Sequence, residues 1–304
     1  MPICPACIRS APAALLGRHG LFQLYYCRAC GLRYTEPMEE AGPDFYQRSL
    51  LYAERQAPLE TPAPREDWRY QTALSGMNPF THPRLLDIGC GDGGFLEKAR
   101  QLGFVVAGFD ADSRAVDYAR EKRHLSNVRR GDWRHLEANA GHFDVATLFD
   151  VLEHVGRPLA LLVELRSFLR PGGQVCITVP RFDRYPRLFD READFPPHHL
   201  TLWSPEAVKI VLQKAGFENV KLRFKALSGE DLQLHASWRF RRLKGAPGPS
   251  EPASLPRPTK QLTRAAKKTA RFGFQAAAWA LRTLALARGH TLLALADRPY
   301  ERVI

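Results

Sequence analysis

Leu85-Leu86-Asp87-Ile88-Gly89-Cys90-Gly91-Asp92-Gly93-Gly94 is an apolar run that carries a carboxylate, breaks into glycines, and leads into an amphipathic stretch from Phe95. A short buried strand, a turn nearly free of side chains and a helix N-terminus follow one another. Such a turn lets the backbone approach a ligand closely and sets the first helical N–H groups beside it. Outward from this point, short apolar runs alternate with helical patterns. Strands are predicted at 84–88, 104–109, 127–130, 143–149, 173–179 and 217–224, and helices at 95–102, 113–122, 158–169 and 205–215, the last with Ser204 as N-cap and Pro205 at its first position. This alternation predicts an α/β fold, a Rossmann-like, doubly wound and mostly parallel sheet.

The turn reads G-x-G-x-G at Gly89, Gly91 and Gly93, a spacing that dinucleotide enzymes approach as well. Other carboxylates sharpen it. Asp87 can hold the amino-acid end of a cofactor directly or through water. Asp110 ends the second strand, where an acid pairs with ribose hydroxyls, and Gly131-Asp132-Trp133 offers a carboxylate and an indole face to an adenine. With the stretch from Phe143 to Phe149-Asp150-Val151-Leu152-Glu153-His154, and with Leu169-Arg170-Pro171-Gly172-Gly173, the chain over residues 84–224 resembles the class I S-adenosylmethionine-dependent methyltransferase family. The resemblance implies S-adenosyl-L-methionine as cofactor, held by Asp87, Gly89, Cys90, Gly91, Gly93, Asp110, Ala111, Asp132, Trp133 and Phe149. Gly89, Gly91 and Gly94 also fit the G-x-G-x-x-G of a dehydrogenase, but the later signatures favour methyl transfer. The resemblance further implies a last antiparallel strand; residues 226–235 could hold it, or the chain departs from the family there. Cys90 and Cys176 read as core packing.

In open α/β sheets ligands sit beyond the carboxyl ends of the strands, so the loops after the fourth and fifth strands should face the methyl group. The first loop brings His154, a candidate catalytic residue, with packing or capping at a helix start as the plainer reading of Glu153 and His154. The second, residues 181–203, contains Asp194-Phe195-Pro196-Pro197-His198-His199-Leu200. Methylating a hydroxyl needs a base, and an imidazole titrates in the useful range. His198 or His199 on this proline-stiffened loop is therefore the expected base, against the alternative that one of them caps or packs the loop. Arg181, Arg184 and Arg187 fit an anionic substrate or a solvated face.

At the N-terminus Cys4, Cys7, Cys27 and Cys30 form two C-x-x-C pairs. Four thiolates suit a structural Zn²⁺ in a zinc-ribbon-like module over 1–36; incidental thiols or a redox pair are the alternatives. A connector with a helix spans 37–81, the catalytic domain 82–235, a basic then proline-rich linker 236–258, and a basic amphipathic helical tail 259–304. Of the 44 Lys/Arg and 32 Asp/Glu, residues 239–304 hold 14 and 3, leaving 30 against 29 before them. The net charge of +12 is thus almost wholly in residues 239–304. Basic residues from Lys260 to Arg271, followed by Phe272, Phe274 and Trp279, fit a helix on an anionic membrane surface, or one packed on its own domain or on a partner. No signal-peptide pattern and no apolar run of spanning length occurs, so a cytoplasmic enzyme, peripheral on the inner membrane face, is expected. The acceptor classes left open are a small molecule, glycan or lipid-linked precursor, methylated on oxygen, and RNA, rRNA included. A near-neutral body weighs against nucleic acid.

Overall fold

The computed structural model describes residues 2–8, 13–42, 45, 67–131, 141–182, 194–228 and 288–300. The predicted elements form close to their expected bounds: β4 (Arg84–Ile88), α2 (Gly94–Gln101), β5 (Val105–Asp110), α3 (Ser113–Glu121), β6 (Val128–Arg130), β7 (Phe143–Phe149), α4 (Pro158–Phe168), β8 (Leu169–Pro180), α5 (Pro205–Lys214) and β10 (Glu218–Ala226). Their strands and β11 (Arg288–Asp297) form a seven-stranded sheet in the order β10-β11-β8-β7-β4-β5-β6. From β8 through β6 neighbouring strands are parallel. Their inner positions are apolar on both faces, because helices cover both sides of such a sheet: Leu86, Ala146 and Ile177 belong to one core cluster, Leu85, Val145 and Cys176 to the other. Ser204 caps α5 as expected, its hydroxyl accepting from Ala207 N at 3.0 Å.

The end of the chain corrects the sequence reading. The predicted helix over 259–296 and the free tail over 259–304 give way, at residues 288–297, to β11 (Arg288–Asp297), which lies between β8 and β10 and is antiparallel to both. It is the last strand of the sheet, and it does not come from 226–235. Leu292, Ala294 and Ala296 pack into one core cluster and Leu293 into the other. A strand buried on both faces loses the apolar–polar alternation that marks a half-exposed one, so its continuous apolar run also reads as helix. The methyltransferase-like domain therefore extends beyond 235 to include 288–297. The proline-rich spacer at 245–258 and the basic residues 259–287 lie outside the described residues.

The N-terminal segment forms a meander, β1 (Ala13–His19), β2 (Phe22–Cys27) and β3 (Arg33–Glu36). A fourth strand joins it from the catalytic domain, β9 (Thr201–Leu202). The connector contributes the helix α1 (Trp68–Ser75). No described helix is long and apolar enough to cross a membrane.

Candidate active site

The turn after β4 is shaped by its glycines. Gly89, Gly91 and Gly93 have φ of +71°, +55° and +76°, a left-handed conformation that side chains rarely adopt. A Cβ on Gly89 would lie 2.5 Å from Val151 Cγ2, and one on Gly93 2.5 Å from Leu125 Cδ1, whereas one on Gly91 would meet nothing within 4 Å. The turn is packed from behind and open at Gly91. The N-cap of α2, Gly93, has no side chain to cap the helix, and the first helical amide, Gly94 N, donates instead to Asp92 Oδ1 at 3.0 Å. Asp110 closes the turn from β5: it accepts from Gly91 N at 2.7 Å and from Asp112 N at 2.8 Å. Burial raises its carboxyl above the usual range, opposed by these N–H donors. Asp87 is 2% exposed and accepts from the Thr147 hydroxyl at 2.6 Å. Its burial, with Asp110 nearby, pushes the carboxyl up to about 8. Ala111 is exposed beside Asp110. Cys90 is buried against Gly108, in keeping with its packing role. Asp132 and Trp133 lie outside the described residues.

Phe149 ends β7 in an aromatic group with Phe95 at 4.6 Å and Tyr70 at 5.3 Å. Tyr70 belongs to α1, which folds over this end of the sheet. The preceding residue on α1, Arg69, pairs with the N-cap Asp67 at 2.6 Å and with Asp150, which follows Phe149. Asp150 has φ +54° and is held by Thr178, whose hydroxyl donates to its carboxylate at 3.0 Å. Arg69, Tyr70, Thr147, Asp150 and Thr178 were not among the residues singled out by the sequence. The available signal was Asp67-Trp68-Arg69-Tyr70, an N-cap residue leading an aromatic and basic triplet inside a connector otherwise poor in pattern.

On the acceptor side, histidines that are 44 residues apart meet: His154 Nδ1 lies 2.5 Å from the carbonyl oxygen of His198. A carbonyl only accepts, so Nδ1 is the donor, and a neutral ring would keep its lone pair on Nε2. The His199 ring stands 4.9 Å from the His154 ring at 71°, and its Nδ1 is 3.8 Å from Asp194. Glu153, His154 and His199 each offer a ligand atom, and these atoms lie within 4.8 Å of one another, close enough to share one cation. His198 itself packs edge-on against Phe45 at 4.7 Å. Arg181 is buried over the Phe224 ring, not on a solvated face, while Arg184 and Arg187 lie outside the described residues.

The four N-terminal cysteines converge as their spacing predicts. All are buried, with ligand atoms within 4.8 Å of one another. Sγ–Sγ separations are 3.5 Å for Cys4 and Cys30 and 3.6 Å for Cys7 and Cys27. A zinc ion about 2.3 Å from each sulfur of a tetrahedron sets edges of about 3.8 Å, so the donor set fits that ion, and its sulfurs are too far apart for disulfides. The hydrogen bond shared by Cys4 and Cys30 lowers the Cys4 thiol to about 5 and raises that of Cys30.

Comparison with known proteins agrees with the fold. A family model described as "Methyltransferase domain" matches residues 48–222. The ubiquinone biosynthesis O-methyltransferase of Roseobacter denitrificans is 37% identical over 139 residues, which cover 44% of this chain and 54% of that protein. Its counterpart in Cereibacter sphaeroides is 42% identical over 113 residues, covering 36% and 46%. The chain spans about half the length of the curated relatives it matches. Among solved structures, phosphoethanolamine N-methyltransferase 2 of Haemonchus contortus, in complex with S-adenosyl-L-methionine, superposes with a TM-score of 0.55 at 18% identity, over 88% of this chain and 62% of that one. That likeness is one of fold.

Proposed function

We propose that this chain, which belongs to the methyltransferase domain family, is an S-adenosylmethionine-dependent methyltransferase that acts on a hydroxyl oxygen of a small-molecule or lipid-linked acceptor. The cofactor supplies a methyl group on a positively charged sulfur, open to in-line attack. The chain's part is to hold the two reactants and take a proton. The glycine turn, open at Gly91, would receive the amino-acid end of the cofactor, with Asp87 opposite its ammonium and Asp110 on its ribose. His154 or His199 would accept the acceptor's hydroxyl proton as the oxygen–methyl bond forms and the methyl–sulfur bond breaks. Holding the oxygen in line contributes as much as the base.

The observation that carries the oxygen acceptor is the meeting of His154 and His199 beyond the ends of β7 and β8, where open sheets of this kind bind ligands. The printed name of the relatives, an O-methyltransferase, supports it. A second reading rests on the same cluster: a divalent cation on Glu153, His154 and His199 would lower the pKa of a bound hydroxyl in place of a free histidine base. We further propose a structural Zn²⁺ on Cys4, Cys7, Cys27 and Cys30, measured as one zinc per chain by elemental analysis and lost in Cys27→Ser/Cys30→Ser.

The test of function is to incubate the protein with methyl-labelled S-adenosylmethionine and fractionated cell extract. Label in a lipid or small-molecule fraction, stable as an ether, supports the proposal. Label in RNA refutes it and supports the RNA alternative. Repeating the assay with a chelator and returning Mg²⁺ or Zn²⁺ separates the cation reading from the free base.

A further inference from the structure

The thiol module is not tethered to the catalytic domain; it is stitched into the acceptor loop. β9 consists of the residues that follow His199-Leu200, and it pairs antiparallel with β3, Arg33 opposite Leu202 and Tyr34 opposite Thr201. Just before that ladder Thr35 N donates to Leu200 O at 3.0 Å, while Leu200 N donates to Glu153 O at 2.8 Å. Leu200 thus bridges the module and the residue before His154. On the far side of β9, the Ser204 hydroxyl donates to the carbonyl of Cys30 at 3.2 Å while capping α5. A Cβ on Gly31 would approach that hydroxyl to 3.0 Å, so the contact is tight. Side chains repeat the arrangement: the His19 ring stacks on Phe195 at 5.0 Å, and Arg33 lies over Phe182 at 4.4 Å. Leu200 and Trp203 are buried to 1% and 0%.

We propose that the four-thiol module is the positioning half of the acceptor site. Its cluster holds Cys30 and the β2–β3 turn, these hold Ser204 and β9, and β9 sets His199 against His154. The cofactor half hangs on other elements, β4, β5, α1 and α2, none of which pairs with the module's sheet. Loss of the cluster therefore loosens the acceptor histidines and leaves the cofactor pocket formed. Ser204 is a positioning residue in this scheme: its hydroxyl links the module to the loop without touching a reactant. The proposal rests on the reading of His154 and His199 as the acceptor side, but its test needs no acceptor.

The test is hydrogen exchange by mass spectrometry on the full chain, with S-adenosylhomocysteine affinity by calorimetry, for the parent, for the parent with a zinc chelator, and for Ser204→Ala, Ser204→Asp and Ser204→Thr. Chelation should speed exchange about tenfold in peptides covering 2–36, 152–156 and 194–204, while 84–94 and the cofactor affinity stay within about threefold of the untreated protein. Ser204→Asp keeps an acceptor for the helix cap but cannot donate to the Cys30 carbonyl. It and the Ala variant should loosen 194–204, and the Thr variant, which keeps the hydroxyl, should restore the parental pattern. Faster exchange confined to 2–36, parental exchange at 194–204 in the Asp variant, or cofactor affinity lost together with the module each overturns the proposal. Coupled exchange without methyl transfer to any extract fraction would instead count against the proposed function alone.

Discussion

Asp87 should release a proton when the cofactor binds. Its carboxyl is raised from 3.8 to about 8, first by complete burial and then by Asp110, with Thr147 and Arg69 pulling the other way. Without cofactor it is about nine-tenths protonated at pH 7. An ammonium about 4 Å away, in the position proposed for the cofactor's amino-acid end, favours the ionised form and brings the carboxyl back below neutrality. Calorimetric titration with S-adenosylhomocysteine at pH 7, in buffers of different ionisation enthalpy, should therefore show between about 0.5 and 1 proton released, falling to about 0.1 at pH 9 where the group is already ionised. Asp87→Asn should abolish the release and weaken binding by roughly tenfold or more. The same shift governs the free protein. A folded pKa above the unfolded one stabilises fully below about pH 4, and that contribution is lost as pH rises towards 8, a change on the order of a few kcal/mol. Asp87→Asn should consequently lose less thermal stability than the parent between pH 5 and pH 8. No proton release by the parent, or an undiminished release by the variant, would refute the reasoning.

Gly89→Ala places a methyl 2.5 Å from Val151 Cγ2 at a φ of +71° and should cost roughly 2–4 kcal/mol, seen as a lower melting temperature of the ligand-free protein. His154→Ala and His199→Ala should lower the methyl-transfer rate by about 10²–10⁴-fold with cofactor affinity unchanged by calorimetry; rates within a few-fold of the parent would move the work to orientation alone. The charge pattern of residues 259–287 proposes contact with an anionic membrane surface. Co-sedimentation with anionic vesicles should weaken with salt and with Lys267→Glu/Lys268→Glu, because each basic residue contributes about 1 kcal/mol near such a surface, and binding unchanged by these charge reversals would count against the contact.

The parallel half of the sheet was legible because its signals are local: a turn that needs glycine, apolar runs of strand length, a serine before proline at the head of α5. The thiol cluster was legible from spacing. What escaped the sequence depends on distant partners. β11 is hidden by being buried on both faces, and its neighbours in the sheet, β8 and β10, end at Pro180 and Ala226. α1 is a short helix whose role comes from Arg69 meeting Asp150, a contact between residues 81 apart. The pairing of His154 with His199 required β9 to be anchored by a module at the other end of the chain. His198 and His199 are adjacent in sequence, and only the turn at residues 195–199 sends the carbonyl of one and the ring of the other to His154.

The placement of β11 bears on how the chain comes into being. Strands β4 to β8 emerge in order and can pair as they are made, but β10 has its partner in β11, so it and the free edge of β8 wait for residues 288–297. At ordinary synthesis rates, residues 227–297 take about 4–14 s to follow β10 out of the ribosome. During that time the edge of β8 and the whole of β10, which β11 covers in the finished sheet, stand unpaired and are templates for mispairing. The entropy of closing so long an insertion grows only slowly with its length, so thermodynamics tolerates the insertion well. Its burden falls on the nascent chain, whose edges stay uncovered until β11 arrives to lock the sheet.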